Sequence, residues 1–234
     1  MKPILIFLAS AVIAAPALAQ TSTFTIGPRY SNYDTDVDLG IVGVDTGRQS
    51  AFGLTGDYRS GAVVFDFMFD HDPENGISII DILPLDVATY ERDRGEMMVG
   101  YAALPSLDLT LGARFDTATF GTGTFDIGDL FSGADFDHQA IALGVNLHSP
   151  SRRPIGVYAQ LRGYIGSGKI EESGVRLSSD TTGFRVEGGV LIPIGESSWS
   201  VAPAVEWETL EADDLGLKLN TNRLIVAFVY RSRP

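Results

Sequence analysis

The sequence predicts an all-β chain: a closed antiparallel barrel of about ten strands that crosses a membrane with its apolar face outward. Three observations predict it. Segments that alternate apolar and polar residues recur to the end of the chain, the connections between them alternate short and long, and the chain opens on an export pattern. The run Leu107, Asp108, Leu109, Thr110, Leu111, Gly112, Ala113, Arg114, Phe115, Asp116 shows the alternation without a miss. Successive side chains of a strand point to opposite faces, so each such segment has one oily face and one face of charges, glycines and hydroxyls.

The first element is a secretory signal: Lys2, the apolar run Ile4 to Ala15, then Ala17-Leu18-Ala19 before Gln20. Cleavage after Ala19 is expected, leaving residues 20–234 as one barrel domain behind a signal peptide of 1–19. The apolar run is too short to span as a helix, and no later segment approaches the roughly 20 apolar residues a spanning helix needs. With no cysteine there is neither a disulfide nor a lipid-bearing residue after the signal. Attachment to a membrane must therefore come from strands. A net charge of -13 argues against nucleic acid as a partner, because holding a backbone of many phosphates needs a basic patch that is not visible in this sequence.

Reading for period-two alternation places strands near 22-31, 50-59, 62-70, 95-103, 107-116, 138-148, 154-166, 182-193, 198-209 and 221-230. Their apolar faces include Phe24, Ile26 and Tyr30 in the first, Val63 to Phe69 in the third and Leu224 to Tyr230 in the last. Short turns fall at 59–61, 104–106, 149–153 and 194–197, with longer loops near 32–49, 71–94, 117–137, 167–181 and 210–220. Bacterial barrels have short periplasmic turns and long extracellular loops with both termini on the periplasmic side, and an even strand count satisfies that arrangement.

Which face points inward is decided by residue size and by the aromatics. In a soluble lipocalin-like barrel the apolar face would line a cavity. Here the other face mixes Gly27, Gly53, Gly100, Gly112, Gly144 and Gly189 with charges, which suits a narrow lumen. Trp199 and Trp207 share one outward face. Eight steps of about 3.3 Å along a strand tilted near 40° separate them by roughly 20 Å of height, as two aromatic girdles require. Tyr30, Tyr58, Tyr101 and Tyr230 complete the predicted girdles.

The C-terminal segment Arg223 to Tyr230, with Leu224, Val226, Phe228 and Tyr230 on one face, resembles the terminal strand by which outer-membrane barrels are recognised for assembly. It is followed here by Arg231-Ser232-Arg233-Pro234 rather than ending on the aromatic. With the strand pattern, the mature chain resembles the small outer-membrane β-barrel, porin-like superfamily. That resemblance implies a Gram-negative cell envelope, insertion by the barrel-assembly machinery, and outer-membrane lipids and lipopolysaccharide as surroundings.

The inward positions carry a mixed set of charges: Arg29, Asp57, Asp66, Glu96, Arg114, Asp116, Arg162, Arg185, Glu187, Glu206, Glu208 and Arg223. Opposite charges in a lumen can pair across strands and offset the cost of leaving bulk water. About eight strands leave an interior just filled by side chains and 16 to 18 leave an aqueous channel, so ten strands predict a polar network rather than an open pore. A narrow conducting channel for small solutes is the alternative.

A third alternative is a surface hydrolase. Asp70, His71 and Asp72 at the outer end of the third strand, with Asp137 and His138 at the outer end of the sixth, could orient an imidazole as general base and hold a water. This grouping resembles omptins, ten-stranded outer-membrane proteases with paired aspartates and an Asp-His pair near the extracellular rim, and the resemblance implies hydrolysis there. Similarly, His148 and Ser149 resemble the pair of lipid-A esterase or phospholipase barrels, although adjacent turn residues rarely form a nucleophile–base pair.

No catalytic residue is assigned. The acidic loops, among them Asp34, Asp36, Asp38 and Asp45, have the oxygen-rich composition of calcium sites without the spacing of one, and no metal or cofactor is expected. Phe120 to Phe125 contains a glycine repeat but lacks the lysine of a phosphate loop. The expected function is that of a monomeric barrel with a structural or surface-interaction role.

Overall fold

The computed structural model describes residues 22–38, 43–78, 86–122, 134–149, 155–172 and 175–232. The expected signal segment, the glycine repeat beyond Thr122 and the apolar stretch Ile79 to Leu85 lie outside them. Ten strands follow in chain order: β1 (Ser22–Asp38), β2 (Gly43–Ser60), β3 (Val63–Ser78), β4 (Asp86–Leu104), β5 (Leu107–Thr122), β6 (Ala134–His148), β7 (Gly156–Glu172), β8 (Val175–Pro193), β9 (Trp199–Ala212) and β10 (Leu217–Arg231). A 3-10 turn, Asp213–Leu215, joins the last two. Each strand pairs antiparallel with its neighbour in sequence, and β1 closes on β10.

The hydrogen-bonded register fixes the barrel's shape. From Arg48 on β2 the cross-strand partners run Asp34, Asn222, Trp207, Val186, Leu161, Val145, Leu109, Tyr101, Val63 and back to β2 at Ser60. The circuit returns 60 − 48 = 12 residues along the strand. Twelve residues of stagger over ten strands give a tilt of roughly 40°. Each step of the circuit therefore descends about 3 Å toward the end that holds the chain termini.

Closure leaves no edge, so every strand has two partners and the backbone is satisfied without water, as lipid demands. Two prolines interrupt the ladder locally. Register pairs are missing beside Pro28, between Ile26–Tyr230 and Arg29–Ala227, and beside Pro203, between Gly189–Ala204 and Ile192–Val201. A proline has no N–H to give its neighbour.

The outside of the wall is apolar through its middle: Leu54, Val99, Leu111, Ile141, Leu143, Leu161, Val205, Leu224 and Phe228 are all exposed. Aromatic contacts mark both rims. Trp199 packs against Tyr230 with ring centroids 5.4 Å apart at the terminal end, while Trp207 meets Phe184 at 4.6 Å and Tyr30 meets Phe52 at 5.2 Å toward the other. Tyr101 is exposed and Tyr58 half-buried near the terminal end.

The strands are longer than the alternation predicts. Much of each expected long loop is barrel wall: β1 runs to Asp38, β4 begins at Asp86 and β7 continues to Glu172. Most of the expected loop at 167–181 is wall, where β7 up to Glu172 pairs with β8 from Val175. Lipid requires an apolar outward face only over about 9–11 residues of each strand. Above that band the outward positions turn polar, as at Asp34, Asp36, Glu91, Thr119, Asp135 and Lys169, and the hydrophobic signal fades while the hydrogen-bonded ladder goes on.

Two outward glycines behave differently. A Cβ on Gly95 would stand 2.0 Å from the Phe115 ring, which lies over it, whereas a Cβ on Gly163 would meet nothing within 4 Å. Gly95→Val should destabilise the folded barrel by about 1–3 kcal/mol through displacement of that ring. Gly163→Val should change it by less than about 0.5 kcal/mol. Urea unfolding in detergent micelles, followed by gel mobility without heating, measures both.

Candidate functional site

The inward side chains of eight strands converge into one charged cluster. Seven arginines (Arg29, Arg92, Arg94, Arg114, Arg162, Arg185, Arg223) are joined by ion pairs to seven carboxylates (Asp66, Asp70, Glu96, Asp116, Glu187, Glu206, Glu208). Equal numbers leave the cluster formally neutral.

Arg94 of β4 is its hub. Its Nη2 donates to Asp70 Oδ2 of β3 at 2.7 Å, and its Nη1 to Glu206 Oε1 at 2.8 Å and Glu208 Oε2 at 3.1 Å across the lumen on β9. Arg114 holds Glu208 with both Nη atoms, at 2.7 and 2.9 Å, and donates from Nε to Asp116 at 2.6 Å. Toward the terminal end, Glu96 collects Arg162 and Arg185 at 3.1 Å each and the Tyr164 hydroxyl at 2.7 Å. Two guanidinium planes also stack on rings, Arg114 over Tyr164 at 4.5 Å and Arg223 over Tyr33 at 4.1 Å. Bidentate and stacked contacts of this kind are suited to arginine and not to lysine.

The cluster leaves no water path through its level. Arg94, Arg114, Arg162 and Arg185 are each only 1% exposed. A ten-stranded wall with this stagger has a backbone radius of about 10 Å, which long side chains reaching in from opposite walls can fill. Below it, inward residues such as Thr55, Gly100 and Gly144 are half-buried. Asp57 lies there too, hydrogen-bonded by Thr25 and outside the ion-paired cluster. At the terminal mouth Arg59 bonds Asp108 at 2.5 Å and His148 at 2.8 Å.

Several members escaped the sequence reading. Arg92 and Arg94 fell in an expected loop, as did Tyr33, although counting back by twos from Glu96 reaches both arginines. The alternation predicts Asp70, Asp72 and His138 at an open rim, whereas the structure buries all three inside the lumen. Alternation splits the group between the two faces of the wall. Asp70 and Asp72 point inward and are buried, with Tyr33 donating to Asp72 at 2.5 Å, whereas His71 points outward to Asp93 at 2.9 Å.

His138 is inward and Asp137 outward. The His138 ring lies between Asp116 Oδ2 and Thr181 Oγ1, at 3.0 Å from each. Hydroxyl, imidazole and carboxylate follow the order of a nucleophile relay. Thr181 is 1% exposed, however, and Asp116 already bonds two arginines, so no substrate reaches the hydroxyl. The Ser149 hydroxyl accepts from the backbone N–H of Val157 at 3.0 Å and does not engage His148. Among the described residues no group of three potential ligands could hold a metal ion.

A closed wall that is apolar outside and ion-paired inside defines the class: this is a ten-stranded transmembrane β-barrel of the outer-membrane type. No protein-family model and no curated protein sequence matches the chain. Solved structures similar to it are outer-membrane barrels. Neisserial surface protein A is 9% identical over 90% of this chain and 99% of its own, with a TM-score of 0.43. The attachment invasion locus protein Ail of Yersinia pestis, solved with a heparin analogue, is 12% identical over 90% and 100%, with a TM-score of 0.39. The outer membrane protease OmpT of Escherichia coli is 8% identical over 90% and 95%, with a TM-score of 0.46.

Arg94→Ala should destabilise the barrel by about 3–5 kcal/mol, because it strands Asp70 and Glu206 as buried, under-compensated charges. Adding Glu206→Ala should recover part of the loss. Urea titrations of the two single variants and the pair, in detergent, measure the coupling.

Proposed function

We propose that the protein is an integral outer-membrane barrel, delivered by a signal peptide cleaved after Ala19, which is closed to ions and serves as a rigid platform for surface interaction. The single observation that carries this reading is the ion-paired cluster that fills the lumen. A selectivity filter must leave a continuous aqueous path, and none passes Arg94 and Arg114, at 1% exposure each. The barrel closes within one chain, which supports a monomer.

The long strands give the platform its surface. They carry the wall well beyond the aromatic rim on the side away from the termini, where exposed Asp34, Asp36, Asp135, Asp137 and Glu171 give it an acidic character. In a bacterial barrel this is the extracellular side, the short turns and both ends being periplasmic.

Planar-bilayer recording on refolded protein tests the reading. The native chain should give no reproducible conductance steps. Arg94→Ser with Glu206→Ser, which removes the hub and its cross-lumen partner, should open a small one. Stable ohmic steps from natively folded protein would overturn the closed-lumen reading in favour of a narrow pore.

A further inference from the structure

The outer wall carries a groove of about 680 Å³ that runs between two neighbouring register rows and changes character along its length. One row is Arg48, Asp34, Asn222, Trp207 and Val186; the other is Asn32, Leu224, Val205 and Gly188. With the stagger derived above, the first row falls about 3 Å per strand, so Arg48 stands about 9 Å above Trp207. The upper end therefore lies in the polar zone above the girdle, and the lower end in the hydrocarbon.

The chemistry follows that descent. At the top Arg48 is exposed and forms no ion pair with any described residue, not even with its cross-strand neighbour Asp34. Around it Asn32, Asn222 and Asp34 offer amide and carboxylate groups. Trp207 comes next, 42% exposed and held edge-on by Phe184. Below it the groove is bordered by Leu224 and Val205 and reaches Gly188, where a Cβ would meet nothing nearer than a backbone oxygen at 4.0 Å. The missing side chain leaves the outer wall open at that position.

We infer that this groove is a binding site for a phosphorylated glycolipid of the outer leaflet, with the phosphate on Arg48, sugar hydroxyls on Asn32, Asn222 and Asp34, a sugar face on Trp207, and an acyl chain over Gly188. A guanidinium with no ion pair among the described residues matches a phosphate in charge and geometry. Two amides and a carboxylate beside an exposed indole supply more hydroxyl-binding groups than a simple phospholipid headgroup presents. The site rests on the reading that this end of the barrel faces outward in an outer membrane.

The test uses the full chain refolded in detergent with one lipid added at a time: hexa-acylated lipid A, phosphatidylethanolamine or phosphatidylglycerol. Native mass spectrometry should show one lipid A retained per chain and at least tenfold weaker retention of either phospholipid. Arg48→Ala should lower lipid A affinity about tenfold. Gly188→Leu, which fills the open position, should lower it as much while keeping the heat-dependent gel shift of a folded barrel. Equal retention of all three lipids, or unchanged affinity in both variants, would overturn the site. Loss of the gel shift in the native chain would instead overturn the barrel reading itself, so the two failures are distinguishable.

Discussion

The structure depends on the requirement that charge inside the lumen be neutralised by charge inside the lumen. Neither lipid nor bulk water reaches the level of Arg94, so each guanidinium there needs carboxylates within hydrogen-bond distance. Arg94 finds them on β3 and β9, on opposite sides of the barrel, and Arg29, Arg185 and Arg223 share them. The same contacts that satisfy the charges tie distant parts of the wall together. They make the interior a solid cross-brace and set the barrel's diameter against collapse or flattening.

This arrangement inverts the usual division between core and surface. The apolar residues that a soluble protein would pack inside are outside, from Leu54 to Phe228, and lipid takes the place of the core. Stability is divided accordingly between a closed hydrogen-bonded ladder, an outer face matched to hydrocarbon and an inner ionic network. The stagger of twelve residues links these parts. It sets the tilt, which sets how far Trp199 stands below Trp207, and it makes neighbouring rows descend together, so one groove on the wall passes from polar to apolar surroundings.

Much of this was legible in the sequence wherever two signals coincided. Between Leu107 and Asp116, or Leu224 and Tyr230, alternation gives both the strand and its orientation, because one face must meet lipid. It fails where lipid stops. Tyr33 to Asp36 and Glu91 to Arg94 look like acidic or mixed loops because Asp34, Asp36, Glu91 and Asp93 on the outward face are polar, yet their inward residues, Tyr33, Thr35, Arg92 and Arg94, keep the period. Reading the inward face for charge, as well as the outward face for oil, finds them. The Asp70, His71, Asp72 grouping misled for a related reason: neighbours in sequence on a strand occupy opposite faces. Only register, which joins Asp70 to Arg94 and His71 to Asp93, tells partners from neighbours. Which strands face each other across the lumen is fixed only by closure, so pairs such as Arg94 with Glu206 could not be read from the chain.

The absence of cysteine from the sequence makes a direct probe of the lumen available. Single variants Ser31→Cys and Ala142→Cys place a thiol on the inner wall at positions with no exposure, and Thr119→Cys places one on the exposed outer wall. The reactivity of each thiol with a small cationic methanethiosulfonate reagent, measured on the folded barrel, asks whether water occupies the interior. A filled lumen predicts rapid labelling at position 119 and labelling at 31 and 142 at least a hundredfold slower until the barrel is unfolded. Comparable rates at all three positions would contradict the ion-paired plug and with it the account of this protein as a closed barrel.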